Sequence, residues 1–566
     1  MAVRVSRRSF LGAASASVSS LFLAACGAAR GSASADKSGA TGANIKVMLN
    51  TNVMSLDTNL AADVVSYEVI ADCIDGLMQV DPKGAVIPAL AKTYEVSEDG
   101  LTYTFNLRDA TWSNGTPVTA HDFVYAWRRI CKGAGAYAYM MSEIGQIKGA
   151  AAIVSGDEKD ETTLGVTAKG DKTFVVELET QVPFFMTLMY FPLFYPLNEQ
   201  FYTSLEEGTY GTSPDTFLSC GAFDLTSYSL GTANLLLEKN PTYWNADAIA
   251  LDSLTYQVVG SSDSALMAFE SNYLDIVMIG GDQVAVARED VSLKDKLKIT
   301  ISGILHFLTF SQTKKNAQGG MLANANLRLA ISNAIDREAL VKNYIDDGSE
   351  ATYTAVPPHY ALSATTGEDF SADQAMFSEW VGYDPKRAQE FFEHAKAELK
   401  TDAFEFTLIY SNNEGDEIEK VAQAIKEQVE HHLVGLTLNL QGMTKSERVA
   451  KLMSGDFDVA LTRWAPDYAD PMTFLGMWVT GNSGNYGRWS SEEYDRIIAD
   501  CTKGRLVSDY NARWAALHDA ESLVMREAVI APLFTKADVS LINPAVQGVE
   551  FHPVGVGRAF KNARVT

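Results

Sequence analysis

The chain has 566 residues, with 46 lysines and arginines against 71 aspartates and glutamates and a formal net charge of -25. Its 47% hydrophobic content and 16 prolines are those of an ordinary globular protein, which excludes disordered, collagen-like and disulfide-dense classes. The acidic balance argues against a nucleic-acid partner, because phosphate binding needs clustered lysines and arginines. At about 100 to 200 residues per domain, the length predicts about three domains.

The first 25 residues predict an export signal. Arg4, Arg7 and Arg8 form a positive start, and residues 12–25 are an uncharged run of small and apolar side chains. This run is too short to cross a ~30 Å hydrocarbon core, so it indicates targeting rather than a membrane span. The arginine pair resembles a twin-arginine signal, and an ordinary signal peptide is the alternative.

A lipidation motif follows the signal. Leu23-Ala24-Ala25-Cys26 resembles a bacterial lipobox, whose cysteine is acylated and becomes the first mature residue. We therefore expect Cys26 to anchor the protein to the extracytoplasmic face of the cell membrane. Residues 26–43, rich in Gly, Ser and Ala, predict a flexible tether. Removal of residues 1–25 deletes three arginines and no acids, which makes the mature charge -28.

Four cysteines remain after this processing: Cys73, Cys131, Cys220 and Cys501. They are far apart and form no C-x-x-C pair, so neither a zinc site nor a redox motif is visible. An exported location permits disulfides. The spacing leaves both disulfide pairing and buried free thiols open.

Local patterns in the first half predict strands followed by a capped helix. Residues 101–107 alternate polar and apolar side chains, as a half-buried strand does. Thr119 and Asp122 have capping-box spacing ahead of an apolar helical face. A second pair of strands, around residues 174–178 and 235–237, brackets an aromatic and proline-rich passage at 183–196, which we interpret as a crossover between lobes.

The second half predicts an α/β lobe. Asn324 and Asp384-Pro385 are placed to start helices. After them the patterns alternate between strand and helix, with Gly435 as a helix stop. Such alternation is typical of a substantially parallel sheet. The predicted elements are a strand at 404–410, a helix at 416–433, a strand at 436–440, a helix at 445–453 and a strand at 457–464.

No catalytic constellation is apparent in the sequence. It contains no G-x-S-x-G elbow, phosphate loop, G-x-G-x-x-G or H-E-x-x-H. His431 and His432 are adjacent, and neighbouring helix residues point about 100° apart, so they do not suit one metal. We therefore expect a protein that is not an enzyme, with no cofactor and no metal.

Several segments together resemble the extracytoplasmic solute-binding proteins of ABC importers, in the family of oligopeptide and dipeptide binders. They run in family order over nearly the whole mature chain. The matching segments are Ser55-Leu56-Asp57, residues 111–127 (TWSNGTPVTAHDFVYAW), 220–223 (CGAF), 240–244 (NPTYW), 327–337 (LRLAISNAIDR) and 464–471 (WAPDYADP).

The resemblance implies an α/β fold of the class II periplasmic-binding-protein type, with two lobes joined by hinge strands and an extra inserted domain. By this resemblance, lobe I comprises residues 44–76, 199–304 and 528–566, and the inserted domain II comprises 77–198. Lobe II, or domain III, comprises 305–527. Hinge closure on a ligand would follow.

The resemblance also implies a peptide-binding site. In the oligopeptide branch, one segment from each lobe hydrogen-bonds the main chain of an extended peptide, in the manner of β-augmentation. The family's acidic residue for the peptide ammonium falls on Asp467, for which an ordinary turn aspartate is the alternative. The two main-chain segments fall on Ala62, Asp63 and Val64 in lobe I and on Arg463, Trp464 and Ala465 in lobe II.

The sequence departs from the family at the site for the peptide carboxylate. Where tripeptide to pentapeptide binders have an arginine and a histidine, this chain has Leu461 and a region around Glu417 without histidine, and Lys445 replaces a pocket tryptophan. Arg463 or Lys445 could take a carboxylate instead. The departures put a short-peptide preference in doubt. Trp464 and Trp478 are candidates to line the cleft, whereas Trp112, Trp127 and Trp244 are expected in cores.

The resemblance implies a lipid-anchored, monomeric protein that binds oligopeptides and delivers them to an ABC permease with separate ATPase subunits. A binder of a non-peptide solute, such as a nickel chelate, haem or a sugar, is one alternative. A receptor for peptide pheromones is another. Peptide length, the export route and the choice between uptake and sensing stay open.

Overall fold

The computed structural model describes residues 42–566, apart from 83, 134–136, 314–319 and 364. The predicted signal segment, Cys26 and all but the last two residues of the predicted tether lie outside the described residues. None of the described helices is long and apolar enough to cross a membrane.

The described chain contains short strands throughout and two unusually long ones, β12 and β17. The strands are β1 Asn44–Leu49, β2 Met78–Val80, β3 Val86–Pro88, β4 Ala91–Val96, β5 Thr102–Leu107, β6 Val166–Ala168, β7 Thr173–Glu177, β8 Phe223–Ser227, β9 Asn234–Lys239, β10 Ser253–Val258, β11 Ile276–Ile279, β12 Leu297–Phe310, β13 Glu350–Ala351, β14 Phe404–Ser411, β15 Leu436–Met443, β16 Val459–Trp464, β17 Ile530–Ile542, β18 Val546–Gln547, β19 Glu550–Phe551, β20 Arg558–Ala559 and β21 Arg564–Val565.

The α-helices are α1 Val64–Cys73, α2 Ala120–Cys131, α3 Ala150–Ser155, α4 Phe185–Leu188, α5 Glu199–Ser204, α6 Ser262–Glu270, α7 Asp282–Glu289, α8 Ala325–Asn333, α9 Arg337–Leu340, α10 Ser378–Val381, α11 Pro385–Leu399, α12 Asp416–His432, α13 Lys445–Ser454, α14 Met472–Leu475, α15 Glu492–Thr502 and α16 Tyr510–Arg526. The three longest α-helices, α11, α12 and α16, lie in the second half of the chain.

One large sheet runs through the described chain in the order β15-β14-β16-β12-β17-β11-β1-β10-β9-β8, with β13 added on β17. It contains two parallel groups, β15-β14-β16 and β11-β1-β10. The antiparallel strands β12 and β17 lie between the two groups and pair with both. They are therefore the part of the sheet that connects its two halves.

The pairing of β12 with β17 is irregular at its centre. The register shifts between Ile301 and Leu305. Gly303 lies within this shift. Beside it, Ser302 donates its hydroxyl to the backbone carbonyl of Lys536 at 2.8 Å, so the two strands remain linked where their regular pairing is interrupted. A β-bulge bends a strand and breaks its ladder locally. The connection between the two halves of the sheet thus contains an interruption of its regular pairing.

A separate antiparallel sheet, β4-β5-β7-β6, packs against α2 within the predicted inserted domain. The carboxylate of Asp122 accepts a hydrogen bond from the backbone N–H of Thr119 at 2.8 Å, which confirms the predicted capping box of α2. The division of the chain into two lobes and an insert stays a prediction.

Most locally signalled elements are confirmed. Asn324 and Asp384 cap α8 and α11 with their side chains, and the strand-helix alternation from β14 to β16 is present with parallel pairing. Gly435 has a φ of +105°, and a Cβ there would lie 2.5 Å from the carbonyl oxygen of Asp402, so the turn after α12 requires glycine.

Two of the predicted strands belong to different sheets. The strands around Phe174 and Leu235 do not pair with each other, because β7 pairs with β5 and β6 whereas β9 pairs with β8 and β10. Both predicted strands are present, in two different sheets. The four cysteines at 73, 131, 220 and 501 are buried free thiols, which decides between the two alternatives that the spacing left open.

Candidate functional site

Strand β16 has an edge that is free of strand partners near its C-terminus. Over its whole length, β16 pairs with β12 on one side. On the other side β14 pairs only with Val459 and Ala460, so beyond Ala460 this edge has no strand partner among the described residues. Ala465, just past the strand, is exposed. The backbone of Arg463, Trp464 and Ala465 therefore lies at an edge that another extended chain could join.

Asp467 lies in the turn that follows β16. Its backbone N–H donates to the hydroxyl of Thr473 at 3.0 Å, and its carboxylate accepts a hydrogen bond from the hydroxyl of Tyr139. Burial raises the pKa of Asp467 to about 6, against the smaller opposing effect of the Tyr139 hydrogen bond. No Lys, Arg or His side chain among the described residues forms an ion pair with it. Asp467 is thus a largely desolvated carboxyl group that lacks a cation.

Other buried carboxylates nearby have such a cation. Asp470 accepts two hydrogen bonds from the guanidinium of Arg513, at 2.9 and 2.8 Å. Glu414 accepts from Arg448 at 2.8 Å and from Arg463 at 3.0 Å. Unlike these two carboxylates, Asp467 has no protein cation beside it and could receive an external one.

The predicted segment of lobe I is held by the start of α1. Asp63 is the N-cap of this helix, and its carboxylate accepts from the backbone N–H of Ser66 at 2.9 Å and from its hydroxyl at 2.6 Å. Its carboxylate is therefore occupied by the helix. Ala62 and Val64 on either side are exposed, Val64 by 57%.

Tyrosine side chains bring the two predicted segments together. The rings of Tyr67 and Tyr137 are 6.3 Å apart at an interplanar angle of 70°. Burial raises the pKa of Tyr137, and the negative charges of Asp467 and Asp63 raise it further, so this hydroxyl lies within the field of both carboxylates. The structure therefore places Asp63 and Asp467, which are about 400 positions apart in sequence, around one aromatic cluster.

A cavity of about 1000 Å³ opens beside Asp467. Its wall combines two regions that are distant in sequence, residues 139–184 and 464–503. Phe184 from the first region stacks on Tyr468 from the second, with centroids 4.4 Å apart and planes within 12°. Trp464 also lines the cavity, and its buried indole N–H has no hydrogen-bond partner in the structure.

Most of the residues at the positions considered for binding a peptide carboxylate are buried or interact with other protein groups. Arg463 is paired with Glu414, and Leu461 is 2% exposed in a hydrophobic core. Glu417 accepts from Lys536 at 2.9 Å. Lys445 is more open, because its side chain is 57% exposed and its ammonium lies 3.8 Å from the carboxylate of Glu414.

The division of the tryptophans between the cavity wall and the protein core differs in part from the prediction. Trp464 lines the cavity as expected, but Trp478 is 1% exposed and packs edge-to-face on Phe307, so its assignment to the cleft was wrong. Trp112 and Trp127 are fully buried, and Trp244 is partly buried. Each of these last three donates its indole N–H to another protein group.

Sequence reasoning missed the partners that the inserted segment supplies. Tyr139 and Phe184 contact Asp467 and Tyr468, yet neither belongs to a motif that marks it as functional. The only local signal was the concentration of aromatic residues near 137–139 and in 183–196. No group of three His, Cys, Asp or Glu side chains among the described residues could hold a metal ion.

Comparison with known proteins identifies the family. The family model for bacterial extracellular solute-binding proteins, family 5 (middle), matches residues 85–486, which is more than half of the chain. The dipeptide-binding protein of Lactococcus lactis subsp. cremoris (strain MG1363) is 31% identical over 539 residues, covering 92% of this chain and 94% of that protein.

Solved structures agree with this assignment. The substrate-binding domain of an oligopeptide ABC transporter from Bacillus anthracis str. Ames superposes with a TM-score of 0.74 at 33% identity, covering 93% of this chain and 99% of that one. Listeria monocytogenes OppA bound to peptide has a TM-score of 0.72 at 27% identity, with coverage of 93% and 99%. The predicted α/β periplasmic-binding-protein fold is confirmed, and the chain belongs to family 5 of the bacterial extracellular solute-binding proteins.

Proposed function

We propose that this protein captures oligopeptides outside the cytoplasmic membrane and delivers them to an ABC permease powered by separate ATPase subunits. The observation that carries the proposal is Asp467, a half-buried carboxyl group on the wall of a large cavity with no cation beside it. A peptide α-ammonium supplies the missing charge.

The energetics of Asp467 favour a ligand with a free amino terminus. Burial raises the pKa of this carboxyl group because it penalises the ionised form. An ammonium group that enters the site restores a charge-assisted hydrogen bond and offsets this penalty. Tyr139 already hydrogen-bonds the same carboxylate and would share it with the ammonium.

The free edge of β16 supports recognition of the peptide main chain. Backbone groups of Arg463, Trp464 and Ala465 would pair with an extended ligand on the lobe II side, and those of Ala62, Asp63 and Val64 would do so on the lobe I side. Such pairing contributes affinity that does not depend on the identity of the ligand's side chains. The names of the similar proteins, a dipeptide-binding protein and an oligopeptide transporter subunit, agree with this ligand class.

The proposed cellular context follows from the N-terminus. An acylated Cys26 would hold a monomeric protein on the extracytoplasmic face of the membrane, near its permease. The non-peptide ligands and the pheromone-sensing role are the competing functions that an experiment must distinguish.

Mass spectrometry of the ligands that co-purify with the protein tests the proposal directly. We expect a mixture of peptides with free amino termini. A haem, a metal chelate or a sugar as the sole co-purified ligand would refute it. Transport assays in cells with and without the ABC permease that the protein is proposed to serve would then separate uptake from sensing, since only uptake requires the permease.

A further inference from the structure

A second cavity lies beside the C-terminal half of α1 and shares no lining residue with the cavity beside Asp467. Its volume is about 200 Å³. One water needs roughly 10–15 Å³ of such space, so a small organic molecule fits. We call this space the α1 cavity. Its wall comes from four segments that contain no predicted peptide-binding residue, namely 71–87, 190–195, 243–249 and 550–562.

A carboxyl oxygen without a hydrogen-bond partner faces the α1 cavity. Asp72 is 3% exposed, and its Oδ2 accepts a hydrogen bond from the hydroxyl of Tyr256 at 2.6 Å. Its Oδ1 has no donor in the part of the chain that the structure describes, yet the surrounding atoms do not enclose it completely. Because Asp72 lines the cavity, this oxygen is open to it. A buried polar atom in this position is satisfied by a group that enters the cavity and donates to it.

The cations nearest to Asp72 are already paired with other carboxylates. Arg558 donates from Nε to Glu68 at 3.0 Å, and its Nη2 lies 2.8 Å from the second oxygen of Glu68. The ammonium of Lys561 pairs with Asp75. Both cations line the α1 cavity, but their two carboxylate partners do not. Within the described residues neither cation forms an ion pair with Asp72, so it is the carboxyl group of this cluster that has no counter-ion.

The remaining wall suits an organic cation. Asp81 and Glu550 add two carboxylates, and Glu550 lies 3.5 Å from Nε2 of His552. The faces of aromatic rings attract cations, and three tyrosines contribute to the wall. These are Tyr190, Tyr195 and Tyr243. Two exposed lining residues, Asn245 and Ala248, mark a side on which the cavity reaches solvent.

We propose that the α1 cavity binds a small organic cation, a primary ammonium group on a short apolar chain, with Asp72 as its counter-ion. The ammonium donates a charge-assisted hydrogen bond to Oδ1 of Asp72. The chain lies against the apolar part of the wall, which comprises Ile87, Val554 and Val556. The inference does not depend on the proposed peptide-binding function, because none of its residues belongs to that site.

Binding at Asp72 should release a proton. Burial raises the pKa of Asp72 to about 8. The groups that face it act in both directions, since Tyr256, Lys561 and Arg558 oppose the shift and Glu68 adds to it. Near pH 7 the carboxyl group is therefore mostly protonated, and an ammonium that pairs with it displaces this proton. Calorimetry at pH 7 in two buffers of different ionisation enthalpy should show the release of up to about one proton per ligand.

Calorimetry with n-butylammonium chloride at pH 8 tests the site, and n-butanol is the neutral probe of equal chain length. An ammonium could also reach Asp467, so the titrations use Asp467→Asn beside the wild type. We expect Asp467→Asn to bind butylammonium saturably and to bind butanol at least about tenfold more weakly.

Two further substitutions in this background locate the bound cation. Asp467→Asn/Asp72→Asn keeps an acceptor for the Tyr256 hydroxyl but removes the charge, so it should bind butylammonium at least about tenfold more weakly than Asp467→Asn does. Asp467→Asn/Ala248→Phe places a large ring at the exposed rim of the α1 cavity, where the fold tolerates it, and should also lose affinity.

The outcomes decide for or against the site. Loss of butylammonium affinity in both double variants, with proton release in the wild type, supports it. Three results overturn it: no saturable binding to Asp467→Asn, equal affinity for butylammonium and butanol, or undiminished affinity in the Asp72 variant. If the Asp72 variant does not fold, undiminished affinity in the Ala248 variant overturns the site in its place.

Discussion

Gly303 lies directly against Pro466, so closely that a Cβ on Gly303 would be 2.5 Å from Pro466 Cγ and 2.9 Å from its Cδ. Gly303 occupies the register shift between β12 and β17, and Pro466 immediately precedes Asp467. The register shift in the strands that connect the two halves of the sheet thus lies against the turn that carries the proposed ammonium site.

This contact predicts that Gly303→Ala weakens peptide binding. Observed Cβ contacts are essentially never shorter than 3.0 Å, so the proline ring and the adjoining Asp467 must shift. Overpacking of this kind typically lowers the folding stability by ~1–3 kcal/mol, and we expect the displaced ammonium site to bind peptide more weakly than in the wild type. Isothermal titration calorimetry with a peptide that binds the wild type measures the loss, and solution scattering reports any change in shape.

Two further variants test whether the contact with Pro466 causes the loss of affinity. Replacement of the proline in the double variant Gly303→Ala/Pro466→Ala removes both clashing ring atoms and should recover most of the affinity. Gly260→Ala lies in open space and should bind as the wild type does. Wild-type affinity in Gly303→Ala itself would show that the contact does not control the site.

Asp467→Asn is predicted to discriminate between free and blocked amino termini. The variant keeps the shape of the side chain but removes the charge that would pair with the ammonium. Truncating one partner of a buried charge pair typically costs ~2–5 kcal/mol, so peptides with a free amine should bind roughly 30-fold more weakly or worse. N-acetylated peptides should lose far less, and comparison of the two peptide series by calorimetry measures the difference.

Asp63→Asn is the matched control for this experiment. Asparagine caps a helix about as well as aspartate, so α1 should be retained. Because the Asp63 carboxylate is already engaged by Ser66, the ratio of free-amine to acetylated affinity should stay at its wild-type value. Equal losses for both peptide series in Asp467→Asn would remove this residue from the ammonium site.

Peptide affinity should depend on pH through Asp467. Burial raises its pKa from 3.8 to about 6, and only the ionised carboxylate pairs with an ammonium. The α-ammonium itself titrates near pH 8 and stays protonated below neutrality. Affinity should therefore be level between about pH 6.5 and 7.5 and fall by up to tenfold per unit below pH 6. Calorimetry from pH 5 to 7.5 tests this, and Asp467→Asn should show a much flatter profile.

The same pKa shift has the opposite effect on the ligand-free fold. The native carboxyl group binds a proton more tightly than the unfolded one, so its contribution to stability grows as pH falls from about 6 towards 3.8. At neutral pH the ionised carboxylate of Asp467 lowers the free energy of unfolding. Asp467→Asn should therefore raise the melting temperature of the empty protein at pH 7.5, and a lower melting temperature would contradict this.

Elements whose signals are local were predictable from sequence. Thr119, Asn324 and Asp384 mark helix starts because a capping side chain and its N–H partner are three residues apart or fewer. The assembly of strands was not predictable in this way. Phe174 and Leu235 both lie in apolar strands, and nothing in either pattern encodes that they join different sheets.

The same limit applies to the candidate site, because contacts between segments that are distant in sequence were not predictable. Asp467 and Trp464 could be placed because they belong to one contiguous motif that resembles the family. Tyr139 and Phe184 reach this motif from more than 280 residues away. Their contacts depend on how the inserted segment packs, so only tertiary structure reveals them. The ion pair between Arg463 and Glu414 is a similar case. The sequence suggested Arg463 as a partner for a peptide carboxylate, but the structure pairs its guanidinium with Glu414.

Cys26→Ala is predicted to release the protein from the membrane. The cysteine is the expected acylation site, and several acyl chains on one residue give stable anchoring. Fractionation of cells that express the variant should find the protein in the soluble extracytoplasmic fraction. Cys501→Ala, which changes a buried thiol, should stay with the membrane. Unchanged membrane retention of Cys26→Ala would refute the anchor.

The pair of Arg513 and Asp470 should be a strong determinant of stability near the site. Their side chains are 1% and 5% exposed, and two hydrogen bonds of 2.9 and 2.8 Å join them. Asp470 also accepts from the backbone N–H of Met472 at 3.0 Å, which fixes the start of a helix that lines the cavity. Arg513→Met would leave a buried carboxylate without its cation, at a cost of about 3–5 kcal/mol in the free energy of unfolding.

Urea denaturation measures that loss, and a second substitution identifies its cause. The double variant Arg513→Met/Asp470→Asn removes the uncompensated charge, so it should recover a substantial part of the stability lost in the single variant. A double variant no more stable than Arg513→Met would mean that the guanidinium acts through its packing, for example over the ring of Phe184 at 5.8 Å, rather than through its charge. Because Phe184 stacks on Tyr468 beside Asp467, either result locates the interaction that keeps the cavity wall in place.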